Sequence, residues 1–197
     1  MFGFGNKKKK IFILLGHPDI DSLNGALARG YERGAEAAGY EVRRVNIGDI
    51  KFDPILHHGY RLIQELEPDL KKLQEDIHWC DHFVIVYPSW WSTMPALLKG
   101  LFDRIWLPDF AYKFFSSGLG WQRLLKGRTA TVFVTSDAHP LLARFIFGDS
   151  TNEIRNGILW FAGFSVRIKK IWPVKNISPE RKARWIRKFK KYGSRLY

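Results

Sequence analysis

Cysteine is nearly absent from this 197-residue chain: Cys80 stands alone, so no internal disulfide can form. A lone thiol beside an apolar run reads as an inert packing residue in a reducing compartment. No apolar run reaches the ~18 residues that would cross a bilayer. The opening MFGFGNKKKK carries charge but no apolar stretch with a cleavage site behind it, since Ile11–Leu15 runs straight into polar GHPDIDS. No secretory signal is expected, and a cytoplasmic location is. Several motifs of chemistry are missing too. Gly16-His17-Pro18 is not the glycine fingerprint of dinucleotide folds, and neither a P-loop nor a GxSxG elbow occurs. No His, Cys, Asp and Glu share metal-ligand spacing, and the neighbours His57 and His58 point apart, so no metal is expected.

Hydrophobic residues make up 46% and aromatic residues 15% of the chain, which excludes disorder. At this length one domain over 1–197 is expected, with 1–9 a basic lead and 179–197 a basic helix and tail. The net charge of +13 belongs to those ends. Lys7–Lys10 is all lysine, and residues 167–197 hold twelve Lys and Arg against Glu180 alone. The body between them is close to neutral. No recognised nucleic-acid-binding fold accompanies the charge, so nucleic acid is not the expected partner.

The chain is organised around residues 83–104, FVIVYPSWWSTMPALLKGLFDR. Phe83–Tyr87 is short, apolar and β-branched, the pattern of a central strand buried on both faces. After a compact turn, a helix restarts behind Pro95. Lys10–Gly16 and Glu41–Asn46 read as earlier strands, and Thr129–Ser136 and Ser165–Trp172 as later ones. Helices are predicted from Asp21 or Ser22 to Gly39, over Pro68–Trp79, over Asn152–Phe161 and over Pro179–Tyr192. Leu107–Lys126 and Asp137–Gly148 exceed ordinary connectors. Strands and helices alternate, which predicts an α/β fold. A five-stranded parallel sheet in the flavodoxin-like order 2-1-3-4-5, with helices on both faces, fits best.

Ligands of such sheets bind outside the carboxyl ends of the strands. Three loops converge there: His17–Asn24, Pro88–Thr93 and Ser136–His139. The first opens a helix whose free N–H groups and partial positive charge suit a phosphate, with His17, Ser22 and Asn24 as further donors. The same residues also make a plain helix cap. Adjacent Trp90 and Trp91 read either as a cap on the sheet core or as a wall for a flat aromatic ligand. A phosphate site beside an aromatic wall outlines FMN at the switch point between strands one and three.

The chain resembles the flavodoxin-like NAD(P)H:quinone oxidoreductases, which include quinone reductases, modulator-of-drug-activity proteins and flavoproteins of potassium-efflux systems. The resemblance rests on GHPDIDSLN at Gly16–Asn24, FDP at Phe52–Pro54, YPSWWSTMPALLKGLFDR at Tyr87–Arg104 and FAY at Phe110–Tyr112. It implies that His17, Ser22, Leu23 and Asn24 hold the flavin phosphate. It implies that Pro88, Ser89, Trp90, Trp91 and Ser92 line the isoalloxazine, with Ser136, Asp137 and Ala138 at its other edge. Phe110 and Tyr112 would face the substrate. The implied cofactor is FMN, with FAD the alternative, NAD(P)H the donor and a quinone-like molecule the acceptor. The implied assembly is a homodimer.

The chain also departs from the family pattern. Relatives place Thr-Thr-Gly-Gly where this chain has Thr135-Ser136-Asp137-Ala138-His139-Pro140, and Asp137 would repel an anionic reduced flavin. Phe147 stands where some relatives carry a relay His, and no Tyr lies between 136 and 150. His139 is the remaining candidate catalytic residue. The basic ends are expected on one edge of the sheet, opposite the flavin. There they could pack as an ordinary helix with a solvated face. They could also dock the protein on an anionic membrane, with Phe2 and Phe4 inserting. Two functions from different classes fit these features. One is a hydride-transferring oxidoreductase. The other is a flavin-binding regulatory subunit that docks on a membrane partner with little turnover.

Overall fold

The computed structural model describes residues 8–196. Five strands form one parallel sheet: β1 (Lys10–Leu15), β2 (Glu41–Asn46), β3 (His82–Pro88), β6 (Thr129–Thr135) and β7 (Ser165–Ile171), in the order β2-β1-β3-β6-β7. This is the expected 2-1-3-4-5 order. β3 is buried at every position, as its unbroken apolar run requires.

Alternate residues send side chains to opposite faces, and each face has its own core. On one, Phe12, Phe83 and Ile85 pack under α2 (Pro68–Trp79) and α3 (Ala96–Ile105). On the other, Ile13, Val84 and Phe133 pack under α1 (Leu23–Ala37) and α5 (Pro179–Arg195). These two helices touch backbone to backbone. A Cβ at Gly34 would lie 1.9 Å from the Lys190 carbonyl, and one at Gly193 would lie 2.0 Å from that of Tyr31. Phe189 and Gly193 of α5 are buried, and Trp185, Ile186 and Tyr192 pack against the same core. The last helix therefore uses its apolar face for the sheet. Arg184, Arg187, Lys188, Lys190 and Lys191 are left exposed. Phe2 and Phe4 lie outside the described residues.

Both long connections hold structure that periodicity did not reveal. The first contains the antiparallel hairpin β4 (Tyr112–Phe114) and β5 (Trp121–Arg123). The second contains α4 (Pro140–Phe147), whose sequence PLLARFIF is an apolar run of only two turns, too short for periodicity to tell helix from strand. The segment expected as a helix over 152–161 is wound as a π-helix, Glu153–Trp160. The indole N–H groups of Trp106 and Trp121 donate to the Ile158 and Phe161 carbonyls at 3.0 and 2.8 Å, drawing them toward side chains.

The FDP and KGLFDR segments are coupled through one cation. Arg104, 1% exposed, donates to the carbonyls of Asp53 and Glu65 and to both carboxylate oxygens of Glu67. Gly100 makes room for the same loop, since a Cβ there would lie 2.6 Å from Pro54. Burial pushes the Glu67 carboxyl up, but the backbone N–H groups and Arg104 more than offset it and hold it below the ordinary range. A lowered carboxylate pKa stabilises above the ordinary range, and that contribution is lost as pH falls through the lowered value. Arg104→Met is expected to cost about 3 kcal/mol in urea unfolding. It should also flatten the acid limb of the stability profile; an unchanged limb would show that the pair is not coupled to folding.

Candidate functional site

The three loops named from the sequence meet at the carboxyl edge of β1, β3 and β6. In the first, Asp19 N–H donates to His17 Nδ1 at 2.9 Å, which leaves Nε2 as the outward nitrogen. The Ser22 hydroxyl donates to the Asp19 carbonyl at 2.7 Å and accepts the Gly25 N–H at 3.2 Å. Its one proton is spent, and Ser22 is the N-cap of α1. Asn24 is buried, with its Oδ1 accepting the Thr135 hydroxyl at 3.1 Å, so its carbonyl ties α1 to the end of β6. The donors left to an anion are the first-turn N–H groups of Leu23 and Asn24 and the His17 ring.

In the second loop, Ser89 N–H donates to the Thr135 carbonyl at 2.7 Å. Trp90 and Thr93 exchange both backbone hydrogen bonds, at 2.9 and 3.1 Å, and so close a turn over Trp91 and Ser92. These two residues have φ of 51° and 62°, the left-handed pair of a type I′ turn. Such turns favour Asn-Gly, and non-glycine residues there store about 1 kcal/mol each. The hydrogen bonds made leave the Trp91 and Ser92 N–H groups without acceptors among the described residues. Trp91 is 99% exposed, and Trp90 is half-exposed with its ring 5.6 Å from that of His17. The two indoles do not cap the core.

In the third loop, Ser136 N–H donates to the Ile171 carbonyl at 2.9 Å, and its hydroxyl accepts the Ala138 N–H at 3.2 Å. His139 caps α4, with Nδ1 accepting the Leu141 N–H at 3.3 Å and its ring 4.2 Å from that of Trp172. The candidate catalytic histidine thus sits beside the cleft and does not line it. Between the second and third loops lies a cleft of about 220 Å³ lined by Ser89, Trp91, Ser92, Asp137, Ala143 and Lys170. α4 closes one side, and Leu141, Leu142, Phe145 and Ile146 are exposed.

Lys170 was not foreseen. Near the end of β7, it reaches Asp149 at 3.3 Å and the Ser150 hydroxyl at 3.4 Å. Burial pushes the Asp149 carboxyl up, but Thr151 and Lys170 more than offset it and hold it below the ordinary range. Lys170 sets a positive charge in the same cleft as Asp137 and opposes the repulsion expected from that carboxylate alone. The only signal in the sequence was two consecutive lysines inside a predicted strand.

Phe110 and Tyr112 part company. Phe110 is buried, its ring 5.9 Å from Trp106 and 4.9 Å from His78, away from the cleft. Tyr112 lines a second cleft of about 330 Å³ with Tyr60, Lys99, Asp103, Glu153 and Phe161. The Thr93 hydroxyl donates to Glu153 Oε2 at 2.6 Å and so joins the Trp91 turn to that cleft. Cys80 is buried, and burial pushes its thiol up to about 12, so it is not a nucleophile. Among the described residues no group of three or more His, Cys, Asp or Glu could hold a metal ion. No helix there is long and apolar enough to cross a membrane.

A family model described as a flavodoxin-like fold matches residues 9–189. The chain belongs to this family. It is 30% identical over 192 residues to a ribosyldihydronicotinamide dehydrogenase-like protein of Penicillium crustosum, covering 80% of this chain and 70% of that one. It superposes on the NAD(P)H:quinone oxidoreductase of Methanothermobacter marburgensis with a TM-score of 0.78 at 20% identity, covering 96% and 100% of the two chains. With an FMN-dependent NADH-azoreductase of Bacillus anthracis, solved with FMN, the TM-score is 0.72 at 18% identity, covering 95% and 99%. Matches to two curated bacterial relatives, from Escherichia coli and Haemophilus influenzae, span little more than half of their length.

The strained turn generates a test. Ser92→Gly relieves one left-handed residue and is expected to raise stability by about 1 kcal/mol, read as a higher Tm of the flavin-free protein. A lower Tm would mean that the Ser92 side chain, and not the turn geometry, holds this loop.

Proposed function

We propose that this protein is a flavin-dependent NAD(P)H oxidoreductase that passes a hydride through bound FMN to a quinone or similar acceptor. The observation that carries the reading is the pair of unpaired N–H groups at Trp91 and Ser92, held on a strained turn beside an open cleft. The residues present fit the cofactor. The N–H groups of Leu23 and Asn24, with His17, would hold its phosphate at the start of α1. Trp91 and Ser92 would donate to the acceptor edge of the ring, and Ser136, Asp137 and Ala138 would border it. When bound, the flavin supplies two-electron redox chemistry. Lys170 favours an electron-rich ring, and α4 keeps water from one side of the cleft. FMN is preferred to FAD because an FMN-dependent relative shares the fold.

The exposed apolar face of α4 supports assembly as a homodimer, in which a second copy would cover Leu141, Leu142, Phe145 and Ile146. The exposed cations of α5 support contact with an anionic membrane surface by charge alone, because the apolar face of that helix is already used.

Anaerobic mixing of the FMN-loaded protein with NADH or NADPH tests the reading. The oxidised flavin band is expected to bleach and to return when a quinone is added. Flavin that binds yet stays oxidised would point instead to a regulatory subunit, and no flavin binding would remove both readings. Lys170→Met is expected to slow bleaching about tenfold, as loss of one charge near the ring implies. FMN affinity should change little, since Lys170 lies away from the phosphate end.

A further inference from the structure

The amino edge of the sheet, opposite the flavin cleft, carries a second polar cavity. Parallel pairing sets His82, Thr129 and Ser165 in one row across β3, β6 and β7. Two residues on, and therefore on the same face, Thr131 pairs with Arg167. These side chains, with Lys9 before β1 and Leu196 at the end of α5, line a cavity of about 350 Å³.

Its floor is unsatisfied. His82 is 5% exposed and Thr131 is 0% exposed. His82 Nδ1 is paired with the Thr129 hydroxyl at 2.7 Å, but among the described residues its Nε2 has no hydrogen-bond partner, and neither has the Thr131 hydroxyl. Buried polar atoms of folded proteins are nearly always paired, with protein, water or a bound group, so two orphans in one cavity mark a position where a hydrogen-bonding guest can sit. The mouth is cationic. Lys9 and Arg167 are exposed and have no ion-pair partner among the described residues. Among the described residues no carboxylate lines the cavity. Asp81, beside His82 in the chain, accepts the Lys10 N–H at 3.0 Å.

We infer that this cavity binds a phosphate-class oxyanion, with the Thr131 hydroxyl and His82 Nε2–H donating at its floor and Lys9, Arg167 and the Ser165 hydroxyl closing on it from the mouth. Several donors converging from three strands and two cations suit a group with several acceptor oxygens, and the volume leaves room for a small organic part. The electrostatics agree. Burial, then Arg167 and Lys9, hold the His82 imidazole down to about 4, so it is a neutral hydrogen-bonding group near pH 7. Such an oxyanion could arrive as a free phosphate monoester or as the headgroup of a membrane lipid, which this basic edge would meet first.

The test follows the His82 ring by NMR in the FMN-loaded protein while inorganic phosphate replaces chloride at constant ionic strength. A saturable shift of the His82 signals is expected. Arg167→Gln should weaken it about tenfold, as loss of a charge-assisted bond implies. Thr131→Val should weaken it severalfold while leaving the phosphate-free Tm equal or higher, because the substitution deletes an unpaired hydroxyl. A His82 signal that does not move, or variants whose titrations overlay the parent, would overturn the site. Vesicles containing phosphatidic acid that compete with phosphate identify the lipid source. Competition by a soluble phosphate monoester alone identifies the free one. Should the protein take up no FMN, the titration remains readable without it, because phosphate at the start of α1 would move His17 and leave His82 in place.

Discussion

A parallel sheet sends every strand's carboxyl end to one edge and every amino end to the other, and both polar clefts described above exist because of that one constraint. β1, β3 and β6 pair in register, so the loops that leave them emerge side by side. Residues 17–24, 88–93 and 136–139 lie far apart in the chain, yet they become one site without any long-range search by their side chains. The same register works in reverse at the amino edge, where it lines up His82, Thr129 and Ser165. Neither arrangement would survive a slip of one residue, which would turn each row to the opposite face.

The carboxyl edge combines strain with support. The Trp91-Ser92 turn spends conformational energy to free two N–H groups, and it persists because its stem is held on both sides. Ser89 is pinned to Thr135, Thr93 to Glu153, and Thr135 in turn to Asn24. Behind them, Arg104 binds the 53–67 loop to α3 through a cation withdrawn from water. A removed partner would leave polar groups stranded, so such contacts fix geometry more than they add stability.

Charge is divided as the fold is. Lys9 and Arg167 stand at the amino edge and further cations along the outer face of α5, while the cleft at the carboxyl edge is lined by one carboxylate, Asp137, and one cation, Lys170, itself paired with Asp149. The two edges, one of mixed charge and one basic, can thus serve different ligands without competing.

Local sequence determined much of this protein. The unbroken apolar run of Phe83–Tyr87 could only be a buried strand, Ser22 could be read as a cap, and the alternation of elements implied the sheet and its order. The blocks at Gly16–Asn24 and Tyr87–Arg104 pointed to two of the loops that meet at the carboxyl edge, because each is a short contiguous stretch. What stayed hidden needed partners distant in sequence. PLLARFIF is too short an apolar run for its period to betray a helix, and that Pro140 and Ala143 meet the cleft is decided only by the fold. Ser22 and Asn24 turn out to serve cap and sheet because Asp19 and Thr135 come within reach. Lys170 and the His82–Thr131–Arg167 cavity become visible only when β6 and β7 are laid in register. A residue's own neighbours dictate its backbone, but the chemistry left for it to do is set by which hydrogen bonds the folded chain has already made.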